Sequence, residues 1–322
     1  MSPSTQPSFR LARSFRATLL LFLCGILLTG TGFLAACSPG ESSLAPAETA
    51  TYTAVPSATP APTLTPLPSL TPTITPLPAC FTGPGRIVRT TYPGFVVDEA
   101  IPVIIYLPPC YDELDRRYPA LYLLHGYGSG MDEAHWEQLG ILDEAERRFQ
   151  AGEEAYIIVM PLQPDPIFVN SMGGTGSYEE ELLDGLLPYV DTVFRTKPEA
   201  GARAIAGISR GGVWALEIAF RHPDQFNIVA GVSPALHLNY VRAVYDPFEI
   251  VRTAEALPAH IFLTAGDQER DFRRAMLELS AVLEAEGIEH LADIHSGGHI
   301  NESWQNLLPQ LLDFIAVSWG SN

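Results

Sequence analysis

From residue 86 onward, short apolar runs alternate with stretches of helical periodicity. Runs at 86–91, 103–107, 120–124, 156–160, 203–206, 228–232, 260–264 and 291–295 predict eight strands. Several, such as AYIIVMP and HIFLTAG, are apolar throughout, as strands covered on both faces by helices are. Between the strands, 142–150, 178–193, 212–221, 272–286 and 301–316 predict helices. In the fourth of these, Phe272, Met276, Leu279 and Leu283 share one stripe, with acids opposite. Such alternation predicts an α/β fold: a mostly parallel sheet with helices on both faces and right-handed crossovers. No helix separates the first two strands, so they are expected to pair as an antiparallel hairpin at the sheet edge. No repeat and no second domain is visible.

Ahead of this domain the pattern changes twice. Arg10, Arg13 and Arg16 precede the apolar run ATLLLFLCGILLTGTGFLAAC, which ends at Cys37. A basic start, an apolar core and small residues before a cut site make a secretory signal over 1–36. Leu34-Ala35-Ala36-Cys37 resembles a bacterial lipobox, in which the cysteine is lipidated and becomes the first residue of the mature chain. The alternative is an uncleaved membrane helix, which Gly25, Gly30 and Gly32 weaken. Both readings place the domain outside the cytoplasm, tethered to the membrane by this end alone. Residues 37–79 are rich in Thr, Pro, Ser and Ala and nearly uncharged, so they cannot pack a core. Extended at ~3.1 Å per residue, this stalk would reach roughly 130 Å.

The globular part is therefore 80–322. The chain's net charge is −18, and only Arg10, Arg13, Arg16, Glu41 and Glu48 of its charged residues precede the domain, which is more acidic still. Such a surface repels phosphate backbones and excludes nucleic acid as an expected partner. Only Cys80 and Cys110 of the four cysteines fall in the domain, and in an oxidising compartment they are expected to pair. A loop of that size would contribute about 3–4 kcal/mol. The alternative is two buried free thiols.

Candidate chemistry sits at three strand ends. Gly207-Ile208-Ser209-Arg210-Gly211 is a G-x-S-x-G between a predicted strand and a predicted helix. In that setting a sharp turn lifts the serine hydroxyl above the sheet and aims helix-end amides at a developing oxyanion. A serine needs a base. Of eight histidines, His299 follows Gly297-Gly298 after the last strand, and His295 is the runner-up. Two glycines between them forbid the helical spacing a shared metal would need, so no metal is expected. The acid should follow HIFLTAG, where Asp267, Glu269 and Asp271 are the candidates. The loop His125-Gly126-Tyr127-Gly128-Ser129-Gly130 offers a second oxyanion donor, and the expected pair is the amides of Tyr127 and Arg210.

Taken together, VIIYLPPCYD, YPALYLLHGYGSGMDEAHW, GSYEEELLDGLLPYVDTVF, AIAGISRGG, RHPDQFNIVAGVSPAL and GGHINESWQNLLPQLLDF resemble the esterase family that includes esterase D, feruloyl esterases, siderophore esterases and mycolyltransferases. The resemblance spans about 103–314 and implies an α/β-hydrolase fold with Ser209 and His299 catalytic. Histidine followed five residues later by tryptophan favours His299 over His295 and gives Trp304 a packing or site-wall role. The resemblance also implies an acid three residues beyond Gly266, at Glu269, where many relatives carry aspartate. Asp271 ranks second, because it opens a helix and suits an N-cap. Asp267 ranks third, because it suits the turn itself.

The expected reaction is acyl transfer from a small-molecule or glycan-linked ester, without a cofactor. An acyltransferase using the same acyl-enzyme, and a non-catalytic surface-binding protein on the same scaffold, are the alternatives. Specificity is expected to lie in the loops 131–139 and 163–177.

Overall fold

A computed structural model of the chain describes residues 79–170, 172–237 and 242–320. They are organised around one eight-stranded sheet: β1 Arg86–Pro93, β2 Ala100–Leu107, β3 Ala120–Leu124, β4 Ile157–Pro161, β5 Arg203–Ile208, β6 Ile228–Val232, β7 His260–Gly266 and β8 Leu291–His295. The spatial order is β1-β2-β4-β3-β5-β6-β7-β8. β1 pairs antiparallel with β2, as the missing helix between them predicts, and β2 also pairs antiparallel with β4. Every other pairing is parallel. β3, β4, β5 and β6 are buried at every position, which is why their sequences do not alternate.

Besides the single turns His135–Gln138 and Ile167–Asn170, the helices are α1 Ile141–Gln150, a rod α2 made of Tyr178–Glu180, Glu181–Leu186 and Leu187–Val193, then α3 Arg210–Arg221, α4 Pro247–Thr253, α5 Arg270–Ala285 and α6 Asn301–Gly320. The middle piece of α2 is a π-turn that the sequence pattern does not betray. α4 is an addition to the expected elements, although Asp246 caps it through a 3.1 Å bond from the Phe248 amide and Pro247 opens it. α5 buries Ala275, Met276, Leu279 and Leu283, while Phe272 of the same stripe turns toward the site. Cys80 and Cys110 form a disulfide that ties the start of the domain to the exit of β2. Cys37, the leader and the stalk lie outside the described residues.

Candidate active site

The carboxyl ends of β5, β6 and β7 lie side by side, so the turns that follow them meet above the sheet. Ser209 occupies the turn from β5 into α3 with φ 56° and ψ −115°, a left-handed setting unusual for a residue with a side chain. Such a conformation costs about 1–3 kcal/mol and persists only where its surroundings fix it. Here the Ser209 amide donates to Val232 O at 2.9 Å and its carbonyl accepts from the Ala235 amide at 3.1 Å. Gly207 and Gly211 are required by close approach. A Cβ on Gly207 would strike the Gly211 backbone, and one on Gly211 would strike the carbonyls of Leu124 and His125.

His299 Nε2 lies 3.0 Å from Ser209 Oγ, and its Nδ1 lies 2.6 Å from Glu269 Oε1. A carboxylate can only accept, so Nδ1 carries the ring proton and Nε2 accepts from the serine hydroxyl. Phe272 stacks on the imidazole with centroids 4.1 Å apart, and Trp304 meets it edge-on at 4.9 Å. Glu269 is buried beneath them. Its Oε2 accepts from Ser233 Oγ at 2.6 Å and from the Gly266 amide at 2.5 Å, while Trp304 Nε1 donates to Ser233 Oγ at 3.3 Å. Burial alone would raise the Glu269 carboxyl, but the bonds from His299, Ser233 and Gly266 outweigh it and hold the group below its ordinary value.

The structure thus brings Ser209, His299 and Glu269 together and leaves their competitors apart. His295 Nδ1 is engaged by Thr264 Oγ1 at 2.9 Å. Asp267 Oδ1 accepts from the Gly297 amide at 2.9 Å. Asp271 is not the expected cap. Glu269 occupies the N-cap position of α5, and Asp271 sits exposed in the first turn, 3.7 Å from Arg270 and Arg274. The loop after β3 passes against the serine, where a Cβ on Gly126 would come within 3.4 Å of Ser209 Cβ. Tyr127 follows with an exposed side chain, and Arg210 begins α3. The Arg210 side chain turns inward, its Nε donating to Phe168 O at 3.1 Å.

Ser233 was not singled out by sequence reading. The available signal was its place directly after β6, next to the strand that carries Ser209. Like Ser209, it has a positive φ, at 45°.

A family model described as "Putative esterase" matches residues 96–315. The chain belongs to this esterase family. It is similar to an esterase of Mycobacterium tuberculosis, 37% identical over 130 residues that make up 38% of this chain and 27% of that protein. An endo-1,4-β-xylanase/feruloyl esterase of Xylanibacter ruminicola is 29% identical over 200 residues, covering 58% of this chain and 25% of that one. The chain spans about a quarter of the length of these curated relatives. Among solved structures, a ferulic acid esterase has a TM-score of 0.63 at 24% identity, covering 73% of this chain and 99% of that chain. The S-formylglutathione hydrolase FrmB of Staphylococcus aureus has a TM-score of 0.62 at 17% identity, covering 73% and 100%. At these identities the structural likeness speaks for the α/β-hydrolase fold.

Proposed function

We propose that the domain is a serine carboxylic-ester hydrolase working through an acyl-enzyme on Ser209. The observation that carries this reading is the unbroken hydrogen-bond chain from Glu269 through His299 to Ser209 on a strained turn. Ser209 Oγ attacks the ester carbonyl while His299 Nε2 takes its proton, and Glu269 stabilises the imidazolium that forms. The amides of Tyr127 and Arg210 receive the oxyanion, the latter helped by the N-terminus of α3. His299 then protonates the leaving alcohol, and in a second half-reaction activates water to release the acid.

We further propose that the enzyme works outside the cytoplasm, a reading supported by the N-terminal sequence alone. The lipobox-like Leu34-Ala35-Ala36-Cys37 supports a lipid anchor on Cys37, and the proline-rich 38–79 supports a spacer between membrane and domain. A panel of acetyl, feruloyl and siderophore-type esters tests the activity. Turnover of at least one, together with labelling of Ser209 by a fluorophosphonate, is expected. An inert panel with an unlabelled serine would refute the proposal.

A further inference from the structure

We propose that His125 is a positioning residue that fixes the direction of the Tyr127 amide, through the carbonyl of Gly126. This inference rests on the esterase reading of Ser209. His125 is buried directly behind the loop that lies against the serine. Its Nε2 faces the backbone amide of Gln163 at 3.0 Å, a group that can only donate. Nε2 therefore accepts, the ring proton resides on Nδ1, and Nδ1 donates to Gly126 O at 2.7 Å. Burial lowers this imidazole to about 4, in keeping with a neutral ring.

Across a trans peptide the carbonyl of one residue and the amide of the next point in opposite directions. Drawing Gly126 O back onto the buried imidazole therefore turns the Tyr127 N–H away from the ring, as its proposed role as an oxyanion donor requires. Glycine-rich loops do not hold such an orientation unaided, and here Gly128 and Gly130 both adopt positive φ. The clamp is closed from the other side as well. Gln163 Nε2 donates to the carbonyl of His125 at 2.8 Å, and Phe168 packs against the ring at 5.4 Å. The residue thus links the expected specificity loop, which begins at Gln163, to the geometry of the oxyanion site.

Two substitutions separate this role from simple core packing. In His125→Asn the amide nitrogen stands near the place of Nδ1 and can still donate to Gly126 O. In His125→Gln the side-chain oxygen can reach the Gln163 amide as Nε2 does, while the donor to Gly126 is lost. With p-nitrophenyl acetate and the full-length protein, His125→Gln is expected to lose about 10²-fold in kcat, the scale of a lost oxyanion donor. Its KM should change less than about threefold, and His125→Asn should keep kcat within about fivefold of wild type. Normal kcat in His125→Gln, or losses in the two variants that simply follow their melting temperatures, would overturn the proposal. A wild type that neither cleaves the ester nor reacts with a fluorophosphonate would instead remove the esterase reading, and this inference with it.

Discussion

Asp267 Oδ1 accepts the amide of Gly297 at 2.9 Å, tying the turn after β7 to the loop that carries His299. The bond makes Asp267 a brace between two loops and leaves the imidazole to Glu269, two residues further on. Glu269→Gln is expected to lower kcat by roughly 10³–10⁴-fold, because the ring loses its tautomer control and the partner of its imidazolium. Melting temperature should change little. Asp271→Asn, at an exposed site, should leave kcat within about twofold of wild type. Asp267→Asn keeps an acceptor for Gly297 and should cost less than tenfold. Parallel measurement of kcat on one ester decides among them, and a large loss confined to Asp271→Asn would transfer the role.

Glu217 of α3 is fully buried, accepts from the Gly173 amide at 2.8 Å through Oε1, and leaves Oε2 with no hydrogen-bond partner among the described residues. Burial raises its carboxyl to about 7, against the opposing pull of the Gly173 amide. A carboxyl raised in the fold costs nothing below its unfolded value, and costs progressively more as pH rises toward the folded value. Glu217→Gln keeps the acceptor and removes the charge. Its melting temperature should match wild type near pH 4 and exceed it by about 5 °C at pH 8. An equal difference at both pH values would contradict this account.

The Cys80–Cys110 bridge closes a separation of 30 residues. In the loop-entropy account such a bridge contributes about 3–4 kcal/mol. Thiol labelling of the denatured, unreduced protein should leave the peptides containing these two cysteines unmodified. Cys80→Ser/Cys110→Ser should melt roughly 10 °C lower. Labelled cysteines in both peptides would refute the bridge.

The four central strands β3–β6 were legible because burial on both faces writes itself as apolar runs, and Ser209 and His299 because glycines punctuate their strand ends. Glu269 was only one of three acids until the family spacing selected it. Its distinguishing features are partners remote in sequence, Ser233 and His299, and no local pattern encodes those. Glu181 makes the same point. It is fully buried, yet its carboxylate is satisfied by the amides of Phe95, Val96 and Val97, more than eighty residues earlier. The α3 boundary moved from residue 212 to Arg210 because the tight turn is completed at Ser209 itself. Asp246-Pro247 was a readable start signal for α4 that the short segment behind it concealed.

For the anchor, mass spectrometry of the mature N-terminus should find a lipid-modified Cys37. An unmodified chain beginning at Met1 would contradict it.

The acyl-enzyme is the centre of the account, and trapping it is the most direct measurement. The protein is mixed with a turned-over ester, quenched in acid within the first turnovers and digested for mass spectrometry. The acyl mass should appear on the peptide containing Ser209, and Ser209→Ala should lose both the adduct and about 10⁴-fold or more in kcat. A folded Ser209→Ala protein that keeps a tenth of wild-type activity, or an acyl group found on another residue, would contradict the account.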